Sequence, residues 1–219
     1  MTDPDAPASF VRRRRPREGI RDTWRPHPFW TAIFGNVEPV EVEIGPGDGS
    51  FLITAAAQRP QTNFLGIERS RARARRLAIQ VARSGAPRVR VLHANAECVI
   101  RTLIPPDSVA AYHVYFPDPW PKRRHTARRL FTTDLIARLA DTLVPGGCLS
   151  LATDVYGYMR LIHTRVMALH RFRRFDVGPP HPGLDTGFAR KYRARGRTIY
   201  SGSYRRCDPS PDSPNVSLE

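Results

Sequence analysis

Cysteine is scarce in this sequence. Cys98, Cys148 and Cys207 lie far apart, are odd in number and form no CxxC pair. That excludes a disulfide framework and a cysteine zinc site. No apolar run approaches the ~18 residues that a membrane span needs. The arginine run near the N-terminus is not followed by the apolar segment of a secretory signal. The expected setting is the cytoplasm, with neither a membrane nor a metal among the partners. Lysine is rarer still: Lys122 and Lys191 are the only two among 35 basic residues, the rest being arginine. Acids number only 20, which leaves a formal net charge of +15. A compositional preference for arginine explains the type of cation but not the excess. The excess points to a phosphate-rich partner, nucleic acid before membrane.

Against these shortages, 41% of the 219 residues are hydrophobic, enough for a packed core. The length suits one medium domain with an extra arm. Residues 1–22 are polar and basic, carrying Arg12 to Arg15, Arg17 and Arg21, and read as a flexible arm that orders on a polyanion. Residues 23–206 read as the folded domain. Residues 207–219 are Pro/Ser-rich and read as a disordered tail. Further basic clusters fall at Arg69 to Arg76, Lys122 to Arg129 and Arg190 to Arg197.

Between the ends, short apolar runs alternate with amphipathic ones. Strands are expected at Val40–Ile44, Phe64–Ile67, Val89–Leu92, Val109–Tyr115 and Leu149–Thr153, with two more at Phe172–Val177 and Ile199–Tyr204. Helices are expected from Ser50, as a cap, to Gln58, over Arg69–Ser84, over Phe131–Leu143 with Pro145-Gly146-Gly147 as the stop, and over Tyr156–Leu169. Such alternation implies an α/β fold with a doubly wound, mostly parallel sheet covered on both faces. Ligands of such sheets bind beyond the carboxyl ends of the strands, so those tails should hold the chemistry.

The first tail is Glu43-Ile44-Gly45-Pro46-Gly47-Asp48-Gly49. Its glycines let the backbone turn tightly and approach a ligand. It reads GxGxG rather than the GxGxxG of dinucleotide sites, which argues against NAD. Glu68 ends the second strand, where an acid can accept from two ribose hydroxyls. Asn95 follows the third, where an amide can read an adenine edge. Together they describe a nucleoside pocket without a phosphate requirement. That suits S-adenosylmethionine, with Glu43 favouring its cationic amino-acid end. The fourth tail, Phe116-Pro117-Asp118-Pro119-Trp120-Pro121-Lys122-Arg123-Arg124-His125, fixes a carboxylate between two prolines and follows it with basic residues. A rigid acid in a phosphate-binding field suits an amine-bearing substrate on a polyanion.

That run resembles the signature of the bacterial tRNA (guanine-N7)-methyltransferases. EIGPGDG, GIE ending at Glu68, NA at Asn95-Ala96, ATD ending at Asp154 and KYRARG from Lys191 to Gly196 are similar to the same family, as is the basic run from Ser9. The resemblance covers roughly residues 9–206. It implies a class I methyltransferase (Rossmann-like) fold, S-adenosylmethionine as cofactor and a guanine of the tRNA variable loop as target. Carried over by position, Glu43, Gly45, Gly47, Gly49, Glu68, Asn95 and Asp118 fall on the cofactor side, and Asp118 is also the catalytic position. Lys122, Asp154, Arg190, Lys191, Tyr192 and Arg193 fall on the substrate side. The family pattern has Asp where this chain has Asn95, a polar residue and Lys where it has Thr126-Ala127, and Thr and Glu where it has Arg190 and Arg193. Two alternatives therefore stand beside the tRNA reading: a methyltransferase with another RNA target, and an RNA-binding relative with weakened turnover. Lys122 and Lys191, the only lysines, both sit in the two substrate motifs, where a compact ammonium differs from a planar guanidinium.

Overall fold

The structure is a computed structural model that describes residues 24–120, 122, 124–125, 129–175 and 186–207. The expected N-terminal arm, the tail beyond Cys207 and the last two residues of the Phe172–Val177 run lie outside the described residues. So do Pro121, Arg123 and residues 126–128 of the basic loop.

Seven strands form one sheet: β1 (Val40–Ile44), β2 (Asn63–Glu68), β3 (Val89–His93), β4 (Val109–Tyr115), β5 (Leu143–Thr153), β6 (Phe172–Phe175) and β7 (Tyr200–Arg206). Their spatial order is β3-β2-β1-β4-β5-β7-β6. The first five run parallel, with Glu43 beside Gly66 on one side and His113 on the other. β7 enters antiparallel between β5 and β6. β1, β2 and β4 are buried at every position, as parallel strands covered on both faces are, so even the alternating VEVEI of β1 places Glu41 and Glu43 in the interior. The order reverses between β1 and β4, and the crevice at that reversal opens beyond their carboxyl ends.

Seven helices are described: α1 (Pro28–Phe34), α2 (Ser50–Gln58), α3 (Arg71–Arg83), α4 (Ala96–Thr102), α5 (Thr133–Thr142), α6 (Tyr156–Ala168) and α7 (Gly187–Arg193). One face of the sheet packs Trp30 and Phe34 of α1, Ile100 of α4, Leu135, Ile136 and Leu139 of α5 and Ile162 of α6 against Val42, Tyr112 and Leu149. The opposite face packs Phe51 and Leu52 of α2 and Leu77 and Val81 of α3 against Phe64 and Val89. Each such side chain, fully buried, contributes roughly 1.5–3 kcal/mol.

Two local expectations change, and two short helices were not anticipated. Ser50 opens α2 but does not cap it; the N-cap is Gly49 in the left-handed region, and the Asp48 carboxylate accepts from the Ser50 N–H at 3.0 Å. Pro145-Gly146-Gly147 does not separate α5 from its strand. β5 starts at Leu143 and absorbs the three residues as an irregularity opposite Val109–Ala111. Asn95 opens a short helix, α4, by accepting from the Glu97 N–H at 2.9 Å. Thr186 caps α7 in the same manner, accepting from the Ala189 N–H at 3.1 Å.

Candidate active site

A cavity of about 760 Å³ opens at the carboxyl ends of β1, β2 and β4. Its wall includes six of the residues singled out from sequence: Gly45, Gly47, Glu68, Asn95, Asp118 and Tyr192. Ile44, Ile67, Val114 and Leu130 supply apolar surface between them. Glu68 is 4% exposed, and its Oε1 accepts from the Ser70 N–H at 2.7 Å, which fixes the carboxylate at the strand end.

Glu43 lies just behind that wall. It is fully buried in β1, and its Oε2 has no hydrogen-bond partner among the described residues. Burial, reinforced by the Asp48 carboxylate, raises its pKa well above the usual carboxylate range. Desolvation disfavours the anion, and a second negative charge adds to the effect. A buried orphan carboxylate at a strand's carboxyl end fits a cationic ligand. S-adenosylmethionine carries its ammonium and sulfonium at one end and its ribose at the other, so the residues present fit it.

Gly49 serves packing rather than the cavity wall. A Cβ there would sit 2.0 Å from Leu77 Cδ1 of α3. α7 closes over the same turn. The Gly187 N–H donates to Ser50 Oγ at 2.9 Å, and a Cβ on Gly187 would meet the Asp48 carboxylate at 2.0 Å. This docking delivers Phe188 and Tyr192 to the cavity, where their rings gather around Phe116 at 6.1 and 5.3 Å. Phe188 was missed in sequence. The signal was there: a Thr186 cap followed by an aromatic pair at i, i+4.

The loop after β4 is held at both ends. The Phe116 N–H donates to Ala152 O at 2.7 Å, extending the ladder by one residue. Arg129 then donates to Pro119 O at 2.9 Å and Trp120 O at 3.3 Å while its guanidinium lies 5.6 Å from the Tyr158 ring. Phe116 and Trp120 both adopt left-handed backbone, φ 54° and 42°. Each costs on the order of 1–3 kcal/mol, and such strain collects at functional sites. Asp118 stands between these fixed points, exposed to the cavity. Arg129, also on the wall, was read from sequence only as the end of a basic cluster.

The remaining substrate-side residues lie off the cavity wall. Lys122 is exposed, as are Arg190, Lys191 and Arg193 on α7. Asp154, one residue past β5, is ion-paired to Arg197, whose guanidinium also lies 5.2 Å from the Tyr192 ring. Among the described residues no cluster of His, Cys, Asp or Glu could hold a metal ion, and no helix is long and apolar enough to cross a membrane.

The comparisons decide the family. A family model described as a putative methyltransferase matches residues 37–201. A tRNA (guanine-N(7)-)-methyltransferase of Bordetella pertussis is 39% identical over 173 residues, 71% of this chain and 68% of that protein. The chain belongs to the tRNA (guanine-N7)-methyltransferase family. A further member from Halorhodospira halophila is 34% identical over 79% of this chain and 77% of its own length. One from Thermus thermophilus is 36% identical over 83% of this chain, which spans 59% of that longer protein. Among solved structures, the 16S rRNA methyltransferase KamB superposes with a TM-score of 0.62 at 17% identity, over 82% of this chain and 93% of its own. The aminoglycoside resistance methyltransferase NpmB1 gives 0.57 at 15% identity, over 84% and 95%. At that identity the likeness concerns the fold, the doubly wound class I methyltransferase sheet. Arg190 and Arg193 stand with Lys191 in the last turn of α7.

Proposed function

We propose that this chain transfers a methyl group from S-adenosylmethionine to N7 of a guanine in the tRNA variable loop, in the cytoplasm. The observation that carries this reading is Asp118. A carboxylate held between two strained residues lines the cavity that Glu68 and Asn95 also line, in a chain whose relatives are named for this reaction. Glu68 accepts from the ribose hydroxyls, Asn95 and the apolar wall hold the adenine, and Glu43 favours the cationic amino-acid end. When bound, S-adenosylmethionine supplies an electrophilic methyl group on a sulfonium, whose positive charge passes to the methylated base.

The chain's own residues have no strong base to provide, because guanine N7 carries an in-plane lone pair at neutral pH. Their work is orientation and charge handling. Asp118 accepts from the N1–H and 2-amino group of the guanine and stabilises the base as it becomes cationic. Tyr192 and Trp120 cover the base once it has left its stack. Lys122 and Lys191 bind phosphates or the base's O6, and Arg190 and Arg193 extend that cationic edge. Asp154 contributes on the same side after release from Arg197. The two arginines in the late motif also favour a second reading, a different target base in the same RNA.

Incubation with bulk tRNA and methyl-labelled cofactor, followed by mapping of the modified base, tests the reading. Label at N7 of a variable-loop guanine is expected. Label at another base would establish the second reading, and tRNA left unlabelled would overturn both.

A further inference from the structure

α3 and its entry carry a row of arginines of which only Arg69 and Arg73 reach the cavity described above. We propose that this exposed edge is a second contact surface for the substrate's RNA backbone, gripping the phosphates that lead away from the target base. The inference rests on the tRNA reading and extends it to a surface outside the cavity. Arg69, Arg71, Arg73, Arg75, Arg76 and Arg83 are all exposed. Only Arg73 reaches an acid, lying 3.7 Å from Glu68; among the described residues the other five have no ion pair, hydrogen bond or ring contact.

Their placement opposes the helix that bears them. The first turn of α3 holds no acid and two arginines, Arg71 and Arg73, at the positive end of the helix dipole. Arg71 with Arg75, and Arg73 with Arg76, are like charges at the i,i+4 and i,i+3 spacings where neighbouring turns repel. Ser70 and the buried face of Ala74, Leu77 and Val81 hold the helix in place despite this repulsion. A polyanion removes the repulsion and releases its own counterions as it binds.

Position favours RNA. Arg69 and Arg73 stand on the cavity wall itself, so the row begins at the mouth and runs along a helix of 13 residues, about 20 Å. A strand whose base enters the cavity passes directly onto it. A membrane is disfavoured because the apolar face of α3 is already buried against the sheet, leaving no continuous apolar stripe to enter lipid.

The test is the salt dependence of tRNA binding by the full chain, comparing wild type with a fourfold variant (Arg71→Gln, Arg75→Gln, Arg76→Gln, Arg83→Gln). All four positions lie off the cavity wall, and glutamine keeps helix propensity. The slope of log affinity against log salt should fall by roughly 3, and affinity at moderate salt at least about tenfold, because each of the four phosphate contacts contributes ~0.7–0.9 to the slope. Cofactor affinity should not change. The matching fourfold Arg→Lys variant should retain most of the slope, which separates charge from folding. An unchanged slope in the glutamine variant would overturn the proposal, as would lost affinity for phosphatidylserine vesicles with tRNA binding intact. Binding is read without turnover, so failure of wild type to methylate tRNA would strike the functional reading and leave this test standing.

Discussion

Glu41 and Glu43 stand two residues apart on β1, on the same side of the sheet, and both are buried. Glu41 is fully provided for. Arg59 donates to its two oxygens at 2.9 and 2.7 Å, and His113 Nε2 lies 2.8 Å from Oε2. With its proton on Nε2, His113 accepts at Nδ1 from the Tyr115 hydroxyl at 2.8 Å, and that hydroxyl lies 3.1 Å from Ser150 Oγ. The chain of contacts ties β1, β4 and β5 together. Glu43 has an orphan oxygen instead, nearer the carboxyl end of the strand and beside Asp48. The first glutamate completes the fold. The second keeps an oxygen without a partner among the described residues. One strand thus carries a glutamate that ties the sheet together and another that does not.

The same substitution at the two positions should act with opposite sign. Glu41→Gln leaves Arg59 and His113 without their anion, and chemical denaturation should show a loss of about 3 kcal/mol. That is the low end for breaking a buried pair, because Arg59 is 21% exposed. Equal stability in that variant would erase the distinction. On the ligand side, Glu68→Ala should weaken cofactor binding by about 1–3 kcal/mol in calorimetry, the scale of lost hydrogen bonds to a charged group. Unchanged affinity would remove Glu68 from the pocket.

Glu43→Gln, the smallest effect, should raise the stability of the ligand-free protein by about 1 kcal/mol at neutral pH while weakening cofactor binding. The pH dependence follows from the raised pKa. Below the ordinary glutamate range the group is protonated whether folded or not, and wild type loses nothing. As pH rises through the folded pKa, the native state must ionise a desolvated group and loses stability. The gap between variant and wild type should therefore open as pH rises and close in acid. A gap independent of pH would show that Glu43 is already satisfied.

Only one half of this division was legible in the sequence, which pointed Glu43 toward a ligand and left Glu41 unread. The strands are recognisable as short β-branched and apolar segments, and their tails carry Gly45, Glu68, Asn95 and Asp118 in chain order around one crevice. What escaped depends on contacts far apart in sequence or on backbone carbonyls, which side-chain patterns do not encode. Arg129 grips the carbonyls of Pro119 and Trp120. Asp154 meets Arg197 across 43 residues. The irregularity in β5 was hidden because Pro145-Gly146-Gly147 reads as a stop when it is absorbed opposite Val109–Ala111. α4 and α7 are short helices of seven residues, visible mainly through their caps.

The account rests most heavily on Asp118 as the group that balances charge on the methylated base. Single-turnover methylation of tRNA by the Asp118→Asn variant, at saturating cofactor and RNA and beside a thermal melt, addresses it directly. The substitution keeps the size and one acceptor but removes the negative charge. A normal melt is predicted, with a rate at least ~100-fold lower, as when one preorganised electrostatic group is lost. A variant that melts normally and methylates within about threefold of wild type, far short of that loss, would contradict the account and shift attention to Asp154.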